Sequence, residues 1–443
     1  MNDRTRLRSI VTGSAGNLIE WYDWYAYSAF SLYFASSFFP SGDTTAELLG
    51  AAAVFAAGFV VRPIGAWLMG RFADHRGRKA GLTLSVVLMC FGSLVIAVVP
   101  THETIGNAAP AILVVARVLQ GLSVGGEYGA SATYLSEMAE SKRRGLWSSL
   151  QCVTLVSGQL VALCVLMVLQ SVLERKELEA WGWRIPFAIG ALLAVAVFWF
   201  RRGLLETEEY RAVKAEKKES RSSALRLFRE HPRETLVVIG LTAGGTLAFY
   251  AYTTYVQKFL VNTAGFSKET STRITALALF VFVLLQPAVG RLSDRVGRRP
   301  VLIAFGVLGT LFTYPLMVAL SGTRSAFVAF ALVLVLLVIV TGYTSINPVV
   351  KAELFPAEIR TLGVALPFAI ANTLFGGTAE YVALWFKSRG MERGFFVYVT
   401  VMIAISLVVY VRMRDTKTTS RIGLDEAGSP DPAPKPGPPA STA

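Results

Sequence analysis

The chain has 443 residues, of which 53% are hydrophobic and only 16% charged, and its formal net charge is +13. So few charges cannot cover the surface of a soluble protein of this size. The basic excess does not read as a nucleic-acid surface, because the Lys and Arg residues sit in short connectors between long apolar runs.

A helix needs roughly 20 apolar residues to cross a bilayer. The apolar runs predict twelve such helices, over 12–39, 47–70, 80–100, 106–136, 146–173, 184–202, 234–259, 270–290, 300–320, 325–350, 361–386 and 394–412. The first run follows Arg4, Arg6 and Arg8 but carries Asn17, Glu20 and Asp23 and lacks a cleavage site. It reads as a retained helix, not a signal peptide. With both termini in the cytoplasm, the inside connectors hold roughly three times as many Lys and Arg as the outside ones. The expected organisation is a six-helix bundle over 1–202, a cytoplasmic linker over 203–233, a second bundle over 234–413 and a disordered tail over 414–443. The tail is rich in Pro, Ala and Gly, which cannot build a core.

The three cysteines, Cys90, Cys152 and Cys164, lie inside apolar runs, with no metal-ligand spacing and no disulfide framework. The three histidines, His75, His102 and His231, are in connectors far apart in sequence. No catalytic constellation emerges, so an enzyme, a metal and a cofactor are not expected.

The two halves echo each other. GRFADHRGRK (Gly70–Lys79) returns as GRLSDRVGRR (Gly290–Arg299), which aligns Asp74 with Asp294, Gly77 with Gly297 and Arg78 with Arg298. A second echo sets Glu137 and Arg144 against Glu353 and Arg360. Duplicated apolar segments are a transporter signature. The acids and arginines of these connectors are expected to pair across the two halves as a cytoplasmic latch. The competing reading is a loop that only fixes orientation, and two copies with the same Asp-to-Arg spacing argue against it.

Ionisable groups inside a bilayer cost about 2.5–3.5 kcal/mol each, which makes them functional suspects. Here they are Glu20 and Asp23 on the first helix, Arg62 on the second, Arg117 and Glu127 on the fourth, Lys258 on the seventh and Glu380 on the eleventh. Two arginines facing one cavity suit two carboxylates, since a guanidinium matches a carboxylate with paired hydrogen bonds. The alternative is structural pairing with Glu20, Asp23 or Glu127. Those acids are equally candidates for carrying a proton, because burial and a nearby arginine push a carboxyl group in opposite directions. Tyr250, Thr254 and Gln257 share a face of the seventh helix, and Asn372, Gly376 and Glu380 share one of the eleventh. Each stripe either lines water or joins helices.

GRFADHRGRK with its second copy resembles the signature loop of the major facilitator superfamily, and RVLQGLSVGGEYG resembles that superfamily's fourth-helix motif. NLIEWYDWYAYSAFSLYF, AAGFVVRPIGAWLMGR, QGLSVGGEYGASATYLSE and WGWRIPFAIGA resemble the metabolite:proton symporters. FYAYTTYVQKFLVNTAG, KAELFPAEIRTLGV and AEYVALW are most similar to the bacterial α-ketoglutarate permeases. The likeness spans residues 10 to 412. It implies an all-α polytopic protein of the bacterial inner membrane, with twelve transmembrane helices in two pseudo-symmetric bundles. It also implies monomeric, proton-driven uptake of a dicarboxylate by alternating access. The expected site then has Arg62 and Arg117 as carboxylate ligands and Tyr27 and Tyr252 in the rest of the pocket. Asp23, Glu20 or Glu127 would carry the proton. Open alternatives are a symporter for shikimate, citrate or a betaine, and a sensor that binds without transporting.

Overall fold

In the computed structural model, residues 3–76, 78–124, 127–137, 139–202 and 224–422 are described. Apolar runs separated by Gly, Pro and charged connectors fold into twelve long helical units. The first six are α1 (Asp3–Phe38), α2 (Thr44–Val60 and Arg62–Arg76), α3 (Arg78–Val98), α4 (Ala108–Val124 and Glu127–Glu137), α5 (Arg144–Val172) and α6 (Ile185–Arg202). The second six begin with α7 (Pro232–Tyr250, then Val256–Asn262), α8 (Lys268–Val296) and α9 (Arg298–Gly322). They continue with α10 (Ala326–Thr344 and Asn347–Leu354), α11 (Arg360–Ala371, then Ala379–Ser388) and α12 (Glu392–Arg412). Among the described residues, eight helical segments are long and apolar enough to cross a membrane unaided. Large apolar side chains such as Trp67, Phe91, Leu192, Leu311 and Phe327 face outward, where a bilayer would solvate them.

The packing repeats with the sequence. α1 packs on α5 as α7 packs on α11. The pairs α2–α4, α3–α4 and α3–α6 recur as α8–α10, α9–α10 and α9–α12. The halves meet along a seam in which α5 lies against α8 on one side and α2 against α11 on the other.

Proline explains two of the breaks beside this seam. Pro63 has no N–H, so the Phe59 carbonyl lacks its helical donor. Thr373 Oγ1 of α11 donates to that carbonyl from the other half at 2.8 Å. Pro348 likewise frees the Thr344 carbonyl, which accepts Asn347 Nδ2 at 3.2 Å. Two wider turns, Ala251–Tyr255 in α7 and Asn372–Gly376 in α11, carry i→i+5 geometry, a local form that gathers at functional sites.

On the face carrying the basic connectors, Gly145 and Gly290 let α5 and α8 touch; a Cβ on Gly290 would lie 2.6 Å from the Gly145 carbonyl oxygen. Gly297 ends α8 with φ +105°, a conformation open to glycine and few others. The turn it allows aims Asp294 across the seam. Its carboxylate accepts the N–H groups of Gly145 and Leu146 at 2.8 and 2.9 Å, capping α5 of the opposite half. Arg298 pairs with Asp294 at 2.8 Å and with Glu353 at 3.5 Å. Arg360 reaches Glu137 of α4 at 2.5 Å. Arg144 donates to Ser420 at 3.3 Å. Asp74 and Arg78, the other two expected latch residues, lie outside the residues whose side chains are described.

The chain after α12 departs from the expectation of a tail without structure from residue 414. Residues 413–422 dock on this face. Thr416 donates to Glu353 at 2.6 Å, and the Asp415 carboxylate accepts the Arg298 N–H at 3.0 Å. Ile422 buries against Ala132, Ala352 and Val364. Polar anchors and one apolar plug hold a segment whose composition alone predicts no order. Residues 423–443 lie outside the described residues.

Candidate functional site

Between the halves lies a cavity of about 40 Å³. It is lined from α1 by Trp21, from α4 and α5 by Tyr128, Gln151 and Cys152, from α7 by Thr246 and Tyr250, and from α10 and α11 by Asn347, Phe368 and Asn372. A water needs roughly 10–15 Å³ by this measure, so the space suits a few waters. A five-carbon solute enters only if the halves part.

Arg62, at the start of the second part of α2 and immediately before Pro63, lies beside the cavity-wall residues Trp21 and Tyr250. Its guanidinium carbon lies 3.8 Å from the Phe59 ring, 4.1 Å from Trp24 and 5.2 Å from Trp21. Tyr25, Tyr250 and Glu20 are close enough to act on its charge. Its Nε and Nη2 are buried and meet no hydrogen-bond acceptor. The aromatic faces partly replace lost water around the cation, and two guanidinium nitrogens are left for a ligand.

Arg117 lies deeper in the first half and does not line the cavity. It donates to Gln120 Oε1 at 2.7 Å and sits 4.1 Å from Trp24 and 4.3 Å from Tyr27. Gln120 in turn donates to Asp23 at 2.5 Å, and Ser93 donates to the same carboxylate at 2.6 Å. Arg117 and Asp23 are therefore joined through one amide inside the bundle of α1, α3 and α4. Tyr27 donates to the Ala51 carbonyl at 3.1 Å, and Tyr252 shares a hydrogen bond of 2.6 Å with Thr313 of α9. Neither tyrosine faces the cavity; each is tied within its own half. Glu20 is buried beside Arg62. The side chain of Glu127 lies outside those described. Tyr250 and Asn372, from the two polar stripes, do reach the cavity.

Two features were not legible in the sequence: the pairing of two suspect charges, and one buried lysine. On the opposite face from the latch, Lys258 of α7 pairs with Glu380 of α11 at 2.6 Å, with both side chains buried. Ser28 of α1 receives Lys258 at 2.6 Å and donates to Glu380 at 2.9 Å, so the pair is fastened to the other half. Spacing could not join residues so far apart in sequence. The second feature is Lys351, which reads as an ordinary basic residue near a connector but is fully buried behind the cavity wall. It donates to Asn347 Oδ1 at 2.8 Å and lies 3.9 Å from the Phe368 ring.

The seam is thus bridged on both faces around one cavity, an arrangement that can open one side at a time. The model of the family described as "Sugar (and other) transporter" matches residues 9–227 and 205–427. The chain belongs to this family. It is 54% identical over 408 residues to the alpha-ketoglutarate permease of Escherichia coli (strain K12), covering 92% of this chain and 93% of that one. It is 34% identical to the citrate-proton symporter of Klebsiella pneumoniae, over 85% of each. Its fold is similar to that of the proton:xylose symporter XylE, with a TM-score of 0.77, covering 96% of this chain and 100% of that chain at 16% identity. The chain is accordingly an all-α, multi-pass inner-membrane transporter of the major facilitator fold, with twelve helices in two pseudo-symmetric bundles, and not an enzyme. Small solutes and protons are the partners of this class.

For a family member built this way, the Asp294 contacts hold one gate shut. Asp294→Asn removes a charged acceptor worth about 1.5–3 kcal/mol. The expected result is alkylation of the cavity-wall thiol Cys152 by N-ethylmaleimide at least about tenfold faster, measured in a Cys90→Ser/Cys164→Ser background. Unchanged alkylation would mean that Asp294 does not restrain the gate.

Proposed function

We propose that the protein carries 2-oxoglutarate into the cell together with protons. The observation that carries this reading is the 54% identity, over 92% of the chain, to a protein described as an alpha-ketoglutarate permease. The site supports it. A buried guanidinium with two unpartnered nitrogens beside the cavity wall suits a carboxylate. The aromatic rings that a quaternary ammonium would need are already occupied by Arg62 and Arg117, which disfavours a betaine.

In this reading the basic face is cytoplasmic and both termini lie there. The bundles 1–202 and 234–413 rock about the seam within a single chain, joined by 203–233, and no cofactor is required. Arg62 is the carboxylate ligand at the cavity. Asp23, joined to Arg117 through Gln120, carries the proton. Glu20 and Glu127 are the further acids of the same half. Protonating Asp23 would remove the anion that Gln120 links to Arg117, so the proton alters the charge balance of the half that also holds Arg62.

Each charge crossing the membrane costs or yields about 2.3 kcal/mol per 100 mV. A dianion entering with one proton remains net negative and is opposed by a negative interior; two protons make entry electroneutral. Labelled 2-oxoglutarate should therefore accumulate in proteoliposomes under an imposed pH gradient, collapse with a protonophore, and give a reversal potential of at least two protons per dianion. A 1:1 ratio refutes the stoichiometry. Competition by citrate stronger than by 2-oxoglutarate would transfer the reading to the citrate-proton symporters, the 34% identical relatives.

A further inference from the structure

We propose that Lys351 is the second cation of the substrate site, holding the carboxylate that Arg62 does not. The inference rests on the dicarboxylate reading above and names a binding residue for it. Lys351 stands near the end of α10, three residues before Leu354. A basic residue there would ordinarily reach water. Instead it has no exposed surface. Its ammonium donates to Asn347 Oδ1 at 2.8 Å and to the Tyr128 hydroxyl at 3.4 Å, and it lies over the Phe368 and Tyr128 rings at 3.9 and 5.3 Å. All of these partners are neutral, and no carboxylate pairs with it among the described residues.

A buried cation without an anion is costly, and an ammonium offers three hydrogens. Here only one meets a short acceptor. Asn347, Tyr128 and Phe368 all line the cavity, so Lys351 stands directly behind its wall near the basic face. Arg62 stands beside Trp21 and Tyr250, two residues of the same cavity's wall. One cation comes from each half. A dianion long enough to reach both would tie the halves together, whereas a monoanion would engage one and leave the other bare. The same geometry explains how the site can prefer two carboxylates although Arg117 is enclosed elsewhere.

The test compares wild-type protein with Lys351→Met and Lys351→Arg, purified in detergent. Binding of 2-oxoglutarate, glutarate and the monocarboxylate 2-oxovalerate is measured by calorimetry, and thermal unfolding is followed without ligand. The wild type is expected to prefer the dicarboxylates. Lys351→Met should cut that preference by about thirtyfold, the loss of one charge-assisted contact, and Lys351→Arg should retain most of it. Lys351→Met should also unfold at a higher temperature without ligand, because it removes a buried amine with one short hydrogen-bond partner and no anion. A Met variant that keeps the wild-type preference overturns the proposal. So does one that binds all three acids equally worse, or one less stable than wild type. If wild type binds no 2-oxoglutarate, the substrate reading falls, while the unfolding shift still reports whether the lysine is unpaired.

Discussion

Glu380→Gln should destabilise the protein by about 3–5 kcal/mol, the cost of leaving one member of a buried ion pair without its partner. Lys258 and Glu380 lie 2.6 Å apart with side chains 0% and 4% exposed. Glutamine keeps the shape and one acceptor but abandons the ammonium. Thermal unfolding in detergent should show the loss directly. The double variant Lys258→Met/Glu380→Met should recover most of the stability, since apolar residues of similar volume replace buried pairs with little penalty. Transport separates the two roles of the pair. Ser28 fastens it to α1 of the other half, so the stable double variant should open this face more readily and retain solute less well. A single Gln variant as stable as wild type would show that Lys258 finds another anion or sheds its proton.

Asp23→Asn should abolish uphill accumulation of 2-oxoglutarate, lowering it by more than about tenfold, while leaving exchange of labelled for unlabelled solute in place. Asparagine cannot carry a proton. It still accepts from Ser93, which now donates to the Asp23 carboxylate at 2.6 Å. The local packing should therefore survive, and a general acid–base role can be separated from a structural one. The readout is the ratio of accumulated to exchanged label in proteoliposomes. Accumulation at the wild-type level would sink the proton role of Asp23 and move it to Glu20 or Glu127, to be tested the same way. Loss of exchange as well would mark Asp23 as a structural partner of Gln120 and Arg117.

The sequence was most informative where physics is local. Apolar runs, connector charges and the two copies of the Gly–Asp–Gly–Arg pattern gave twelve helices, two halves and a charged connector in each. The breaks at Pro63 and Pro348 fall inside runs that read as single helices over 47–70 and 325–350, and only coordinates match the freed carbonyls with Thr373 and Asn347. The site was only partly legible. A charge in an apolar run announces that something compensates it, and Arg62, Arg117 and Asp23 stand out that way as candidates. The sequence could not say that Arg62 lies beside the cavity-wall residues Trp21 and Tyr250 while Arg117 is boxed by Trp24, Tyr27 and Gln120, because both guanidiniums sit in equally apolar surroundings. Tyr252 was misjudged for a related reason. Positions two apart on a helix point about 200° apart, so Tyr250 reaches the cavity while Tyr252 turns to Thr313.

By itself, the sequence determined that this chain lives in a bilayer, in two related halves with charged hinges, because desolvation makes each polar residue in an apolar run conspicuous. Tertiary structure alone decided which charges meet: Lys258 with Glu380 and Ser28, Asp294 with the start of α5, and Lys351 with neutral partners only. These contacts join residues far apart in sequence or depend on which way a helix face turns. Their energies come from burial and distance, which exist only after the helices have packed.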